Sequence, residues 1–176
     1  LAQLTAQGQP FVAHSIAQPF ALLDQQASEL TAVVDRIVQA TGQPPLIVAH
    51  SMGGLVVRAW LRQEAQQGRD WRARVHRVAV LGSPLAGTGL ARWGHTALSR
   101  QMHRAQDGGQ WVPQLNADLD ALGVPRALFA CWASTSDNMV FPAHSALLAG
   151  ADQHVLQAVP HVPLAFAPEV MAGVLA

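Results

Sequence analysis

A serine lies where an apolar run of the sequence meets the first residues of a helical pattern. Residues 45–54 read PLIVAHSMGG, so Ser51 has the small residues Ala49 and Gly53 two positions away on either side. This order between a strand and a helix is typical of a nucleophilic serine on a sharp turn, where the strained backbone tolerates only small neighbours. Ser51 is therefore the candidate nucleophile, and a serine that caps a helix is the alternative interpretation.

A serine hydroxyl needs a base that takes its proton, and the base needs an acid that orients it. In hydrolases that place the serine on such a turn between a strand and a helix, these groups follow strand ends, in the chain order serine, acid, histidine. Asp137 comes a few residues after the apolar run 127–133, whereas Asp107, Asp118 and Asp120 lie in an irregular region. We predict Asp137 as the acid, and an aspartate that bonds its own turn is the alternative.

The base must be a histidine that follows this acid. His161 comes directly after an apolar run that ends at Val159, and it lies between two prolines. His144 begins a predicted helix and His154 opens a predicted strand, so neither follows a strand end. His161 is the predicted base, and an exposed loop histidine is the alternative. His50 points away from the serine by strand alternation, so we expect it to pack or to form a hydrogen bond.

Together these residues predict acyl transfer through a covalent acyl-enzyme. The oxyanion that forms needs two hydrogen-bond donors, and the amide of Met52, at the start of the following helix, is the predicted first one. The second donor normally comes from a His-Gly segment upstream of the serine, and the sequence has none there.

Short apolar runs alternate with stretches of helical spacing, which predicts an α/β fold with a parallel sheet covered by helices. The predicted strands are Phe11–Ile16, Leu46–His50, Val75–Leu81, Ala127–Ala133 and, more weakly, His154–Val159. The predicted helices run from Leu23 to a stop at Thr41-Gly42, over Gly53–Gln67 and over Pro168–Ala176, with short helices between Gly82 and Leu122. Ligand sites of such folds form at the carboxyl edge of the sheet.

The length of 176 residues predicts a single domain over residues 1–176, in which residues 89–122 form a cap-like or lid-like insertion. Apolar residues make up 50% of the chain, which excludes an intrinsically disordered protein. Its 11 basic and 11 acidic residues form no charge run, which excludes a nucleic-acid binder. No apolar run is long enough to span a membrane.

The single cysteine, Cys131, excludes an internal disulfide and a multi-cysteine metal site. The histidines and acids show no metal-ligand spacing, so we expect no metal and no cofactor. The expected partner is a small-molecule or lipid ester. The sequence sets neither the oligomeric state nor the location, because a cytoplasmic protein and one with a signal or anchor upstream of Leu1 are both compatible with it.

The irregular segment 89–122 carries apolar residues that would lie above the serine and could line a pocket for an apolar acyl group. The candidate substrate-binding residues are Trp93, Met102, Trp111 and Leu115. Core residues beneath a long loop are the alternative interpretation.

Four segments resemble the active-site segments of bacterial lipases of the α/β-hydrolase fold. They are AHSMGG from Ala49, LGSPLAGT from Leu81, SDNMV from Ser136 and VPHVPL from Val159. The resemblance implies an α/β-hydrolase fold, with helices on both faces of a mostly parallel sheet, and a serine lipase or esterase. It also implies that the strands beside Phe11–Ile16 are missing. We therefore expect a chain that begins inside a longer protein, with this segment poorly paired or displaced.

Two alternatives stay open. The first is an acyltransferase or a thioesterase. These enzymes use the same three residues and differ only in the molecule that reaches the acyl-enzyme. A non-catalytic α/β-hydrolase-like domain that binds a partner is the alternative from another class, although such a domain has no need of all three residues in this order.

Overall fold

The core of the molecule is a four-stranded parallel sheet whose strands lie in chain order. The computed structural model describes residues 5, 8 and 10–175. The strands are β1 (Leu46–His50), β2 (Arg77–Leu81), β3 (Phe129–Ser134) and β4 (Asp152–Leu156). Because all four run in one direction, the residues that follow them meet at one edge, the carboxyl edge of the sheet.

Helices connect and cover these strands. The α-helices are α1 (Leu23–Thr41), α2 (Gly53–Gln66), α3 (Ala97–Gln101), α4 (Trp111–Ala121), α5 (His161–Leu164) and α6 (Pro168–Leu175). Short 3₁₀ helices span Trp71–Ala73, Gly89–Trp93, Ala105–Asp107, Arg126–Leu128 and Ala143–Ala146. Helix α1 ends where the sequence predicts, because Gly42 takes the left-handed conformation, with φ 67°, that closes a helix.

Side chains alternate between the two faces of the sheet, and each face has its own apolar cluster. Val78, Val80 and Cys131 point to the face covered by α1, α2 and α4. Leu81 and Trp132 point to the other face, where α6 packs on them. The middle strands are buried on both faces, which explains why they read as continuous apolar runs. This arrangement confirms the predicted α/β class with helices on both faces.

The predicted strand over Phe11–Ile16 does not exist. The segment is irregular and lies against α1: the amide of Ala17 donates to Glu29 Oε2 at 2.9 Å, and His14 Nε2 lies 3.7 Å from the same oxygen. Alternating apolar residues make a strand only where a partner strand supplies backbone hydrogen bonds, and β1 pairs with β2 alone among the described strands. The segment is displaced from the sheet, as the resemblance led us to expect.

The fourth strand is shifted relative to the sequence pattern, since β4 begins at Asp152 and ends at Leu156 rather than spanning 154–159. The turn that follows leaves the sheet at Ala158, which has a positive φ of 57°. None of the helices in the described part of the chain is both long enough and apolar enough to cross a membrane.

Candidate active site

Ser51 lies in the turn between β1 and α2, at the carboxyl edge of the sheet. Its φ is 56°, a left-handed conformation that is unusual for a residue with a side chain. The Ser51 amide donates to the carbonyl of Leu81 at 2.8 Å, and its carbonyl accepts from the amide of Gly54 at 3.1 Å. The turn therefore holds the serine in a strained conformation by hydrogen bonds on both sides, as the sequence pattern requires.

The close approach in this turn is at Gly54, not at the glycine of the motif itself. A Cβ at Gly53 would lie 3.8 Å from the Ala49 Cβ, which is an ordinary contact. A Cβ at Gly54 would lie only 2.6 Å from the Cβ of Ser83. The second glycine of the pair thus lets the start of α2 pack against the segment after β2, a requirement that the motif does not reveal.

Asp137 lies in the loop that follows β3, as predicted from the sequence. Its side chain is only 1% exposed. Its Oδ1 accepts hydrogen bonds from the amides of Met139 and Val140, both at 2.8 Å. Two backbone donors hold this buried carboxylate in one orientation without a basic side chain.

His161 is the first residue of α5 and connects the other two side chains. Its Nδ1–H donates to Asp137 Oδ2 at 2.8 Å, and the Ser51 hydroxyl donates to its Nε2 at 2.8 Å. A carboxylate only accepts hydrogen bonds, so the Nδ1 proton is fixed by Asp137 and Nε2 is left as an acceptor. The structure thus brings together three predicted residues that are 24 and 110 positions apart in the chain.

Gly82, at the end of β2, provides the space in which the histidine and the aspartate meet. A Cβ at this position would lie 3.1 Å from Asp137 Oδ2 and 3.2 Å from His161 Nδ1. Its φ is 55°, so a side chain would also be strained by the backbone. The sequence pattern alone did not assign a role to this glycine. Its position directly after a predicted strand was the feature that could have indicated one.

His50 contacts His161 rather than the nucleophile. Its Nε2–H donates to the His161 carbonyl at 3.0 Å, and the two rings lie 4.7 Å apart between centroids. Burial lowers the pKa of His50, which favours a neutral ring beside the second histidine. His50 is the hydrogen-bonding residue that strand alternation predicts, and it fixes the backbone of the candidate base.

A cavity of about 310 Å³, here called the nucleophile cavity, opens beside Ser51. Its walls are mostly apolar side chains from the segments after β1, β2 and β3. They include Met52, Pro84, Leu90, Met102, Met139 and Val140. Of the predicted substrate-binding residues, Met102 lines this cavity, and Trp93 lines a second cavity next to it.

The other two predicted substrate-binding residues lie elsewhere. Leu115, on α4, is fully buried in the core between the sheet and its covering helices. The Trp111 Nε1–H donates to Oδ2 of Asp24, a residue of α1, at 2.9 Å. Neither lines the nucleophile cavity. Their helical spacing places them on the face of α4 that packs against α2, so they are core residues, which is the alternative that the sequence left open.

Thr88 is a further polar residue of the site that the sequence analysis did not single out. Its hydroxyl donates to the Met139 carbonyl at 2.9 Å and accepts from the amide of Phe141 at 3.1 Å. It thereby ties the loop that carries Asp137 to the segment after β2. Within the described residues, no group of three or more histidine, cysteine, aspartate or glutamate side chains could hold a metal ion.

The fold is similar to that of solved lipases. The mature lipase BlEst2 of Bacillus licheniformis is 17% identical and has a TM-score of 0.63, covering 89% of this chain and 76% of its own. Aspergillus fumigatus lipase B is 17% identical, with a TM-score of 0.58, covering 89% of this chain and 43% of its own. Phospholipase PlaB of Legionella pneumophila is 16% identical, with a TM-score of 0.54, covering 77% of this chain and 34% of its own.

These likenesses confirm the α/β-hydrolase fold that the sequence motifs imply. The chain spans less than half the length of lipase B and of PlaB. In sequence, the profile of a family described as Domain of unknown function (DUF7379) matches residues 23–122, more than half of the 176 residues. No curated protein matches the chain. The chemistry must therefore be argued from the geometry around Ser51.

Proposed function

The chain belongs to the DUF7379 family, and we propose that it is a serine hydrolase that cleaves carboxylic esters with an apolar acyl group. The observation that carries this proposal is the continuous hydrogen-bond chain from Ser51 Oγ through the His161 ring to the Asp137 carboxylate, with both links at 2.8 Å. A serine, a histidine and a buried carboxylate in this order are the groups that serine-dependent acyl transfer requires.

In the proposed reaction the Ser51 Oγ attacks the acyl carbonyl carbon while His161 Nε2 takes the hydroxyl proton. Asp137 holds the Nδ1 proton and stabilises the imidazolium that forms. The tetrahedral intermediate then collapses: the bond to the alcohol breaks, and His161 returns the proton to the leaving oxygen. A water molecule attacks the acyl-enzyme by the same steps, which releases the acid and restores the serine.

The negative charge on the carbonyl oxygen needs donors that are already in place. The amide of Met52 is the predicted donor, because it lies at the N-terminus of α2, where the first N–H groups have no acceptor within the helix. The partial positive charge of this helix end also favours an oxyanion.

The nucleophile cavity supports the choice of substrate class. Its volume of about 310 Å³ is at the lower end of the range for small-molecule sites. Its walls are mainly leucine, methionine, proline and valine side chains, which stabilise an acyl chain by removing it from water. An ester with a short to medium acyl chain is the substrate that such a cavity fits.

The test is covalent labelling with a fluorophosphonate probe, which reacts only with an activated serine. We expect labelling of the chain at Ser51, located by peptide mass spectrometry, and its loss in Ser51→Ala. Ser28→Ala is the matched control, because Ser28 is an exposed serine on α1 that does not line the nucleophile cavity, so its loss should not affect labelling. No labelling of the folded chain would favour the non-catalytic binding domain, and equal labelling of Ser51→Ala would show that Ser51 is not the reactive serine.

A further inference from the structure

A second cavity, here called the arginine cavity, adjoins the nucleophile cavity, and the two share Leu90 as a wall. Its volume is about 230 Å³. It differs from its neighbour in chemistry, because two arginines are among the residues that line it. The lining residues are Gly89, Leu90, Arg92, Trp93, Arg104 and Phe141.

Arg104 is held in a fixed orientation toward this cavity. Its side chain is 16% exposed, and its Nε–H donates to Asp107 Oδ2 at 2.6 Å. A Cβ built on Gly89 would lie 3.5 Å from the Arg104 Nη2. The absence of a side chain at Gly89 therefore leaves open space in front of the outer guanidinium nitrogens, while the inner nitrogen is already paired.

The rim of the arginine cavity carries a positive charge that the rest of the chain does not have. The whole chain has 11 basic and 11 acidic residues, but the residues that line this cavity include two arginines and no acidic residue. Arg92 forms no ion pair with any described residue, and its guanidinium lies 4.8 Å from the Trp93 ring centre. Asp107 balances one of the arginines, so the rim attracts an anion.

We propose that the ester substrate carries a phosphate group on its alcohol part, which Arg104 and Arg92 bind in the arginine cavity while the acyl chain occupies the nucleophile cavity. Guanidinium groups match the geometry of phosphate oxygens and form charge-assisted hydrogen bonds with them. The shared wall at Leu90 allows one molecule to fill both cavities. This inference rests on the proposed ester hydrolase function.

The test compares two soluble esters with the same acyl chain, a 1-acylglycerol and the corresponding 1-acylglycerol 3-phosphate, both below their micelle concentrations. Charge-assisted hydrogen bonds predict that kcat/KM is about tenfold to a hundredfold higher for the phosphate ester. In Arg104→Gln this preference should fall to a few-fold or less. Arg100→Gln is the matched control, since Arg100 is an exposed arginine of the same segment that donates to the His95 carbonyl and lines neither cavity.

Equal kcat/KM for the two esters, or a preference that Arg104→Gln leaves unchanged, overturns the inference. A preference that appears only above the micelle concentration also overturns it, because a charged lipid surface is then recognised instead of one phosphate. Inorganic phosphate is the last arm of the test. If it inhibits hydrolysis of the phosphate ester at a concentration equal to that of the ester, the cavity binds a free ion, and the inference is likewise overturned.

If neither ester is hydrolysed, the proposed function fails, and the phosphate site is tested separately. Calorimetric titration of Ser51→Ala with the same two esters measures binding without reaction. Binding of the phosphate ester about tenfold or more tighter than that of the neutral ester supports the arginine cavity as its site, and equal binding removes it.

Discussion

Two buried carboxylates, one at each end of the sheet, have different partners. Glu64, near the end of α2 and thus at the edge where the strands begin, has a side chain that is 1% exposed. It pairs with Arg74 Nε at 2.5 Å and Arg69 Nη1 at 3.3 Å, and it accepts from the Thr31 hydroxyl at 2.8 Å. Asp137, at the carboxyl edge, is equally buried but faces a histidine and two backbone amides.

The difference separates a structural from a chemical use of the same group. Two arginines cancel the charge of Glu64 permanently and tie α2 to the segment before β2. A permanent cation beside Asp137 would cancel the negative charge that must stabilise an imidazolium during the reaction. The amides of the loop after β3 hold Asp137 in place and leave its charge available to His161.

The largest effect that we expect is the loss of turnover when a residue at the carboxyl edge is replaced. Ser51→Ala or His161→Ala should lower kcat by about 10⁴ to 10⁶, because the members of such a site act as a unit. The measurement is steady-state hydrolysis of a 4-nitrophenyl ester, with circular dichroism to show that each variant is folded. A loss of less than tenfold in a folded variant would mean that these residues are not the nucleophile and the base.

Asp137→Asn tests the carboxyl edge directly. The amide keeps the shape of the side chain but favours the wrong tautomer of the histidine, so kcat should fall by about 10⁴. The free energy of unfolding should change less than in a variant of Glu64, because no ion pair with an arginine is lost. Unaltered turnover in Asp137→Asn would show that Asp137 has no catalytic role that distinguishes it from Glu64.

Glu64→Gln should show the opposite pattern, with a large effect on stability and a small one on turnover. It removes the buried charge that faces the Arg74 guanidinium, which is left with the more exposed Asp35 at 2.7 Å, so the free energy of unfolding should fall by about 1.5 to 3 kcal/mol. Urea denaturation measures the loss. Asp70→Asn is the matched control: the Asp70 and Arg72 side chains are 63% and 67% exposed, and such a pair contributes less than about 1 kcal/mol.

A large part of this arrangement can be predicted from the sequence, because it follows from local patterns. Apolar runs locate β1, β2 and β3, and the rule that functional groups follow strand ends selects Ser51, Asp137 and His161, which the structure then places in hydrogen-bond contact. Their catalytic role stays a prediction until turnover is measured. Gly42 ends α1 as its residue type indicates.

Features that depend on distant contacts could not be predicted in this way. Trp111 and Leu115 have the same apolar spacing whether they line a pocket or fill a core, and only the packing of α4 decides. Gly54 and Gly82 are needed because other segments approach them closely. The pattern of Phe11–Ile16 predicts a strand, but it contains no information on whether a partner strand is present.

Between the two edges, Cys131 on β3 shows an ionisable group whose pKa is dominated by burial, although the charge of Arg58 acts against the shift. Its side chain is fully buried, and burial raises the pKa of the thiol from 9.0 to about 11. At pH 9 to 11 the unfolded chain therefore loses a proton that the folded chain keeps, and the free energy of unfolding falls as the pH rises.

This fall should be measurable because the sequence contains no lysine and no tyrosine, whose side chains would otherwise titrate in the same range. Burial lowers the pKa of Arg58 to about 10, which opposes the fall above that pH, so the useful window ends there. Between pH 8 and pH 10 the free energy of unfolding should decrease by about 1 kcal/mol in urea denaturation. Cys131→Ala should remove this slope, and a variant that keeps it would show that the thiol is not the titrating group.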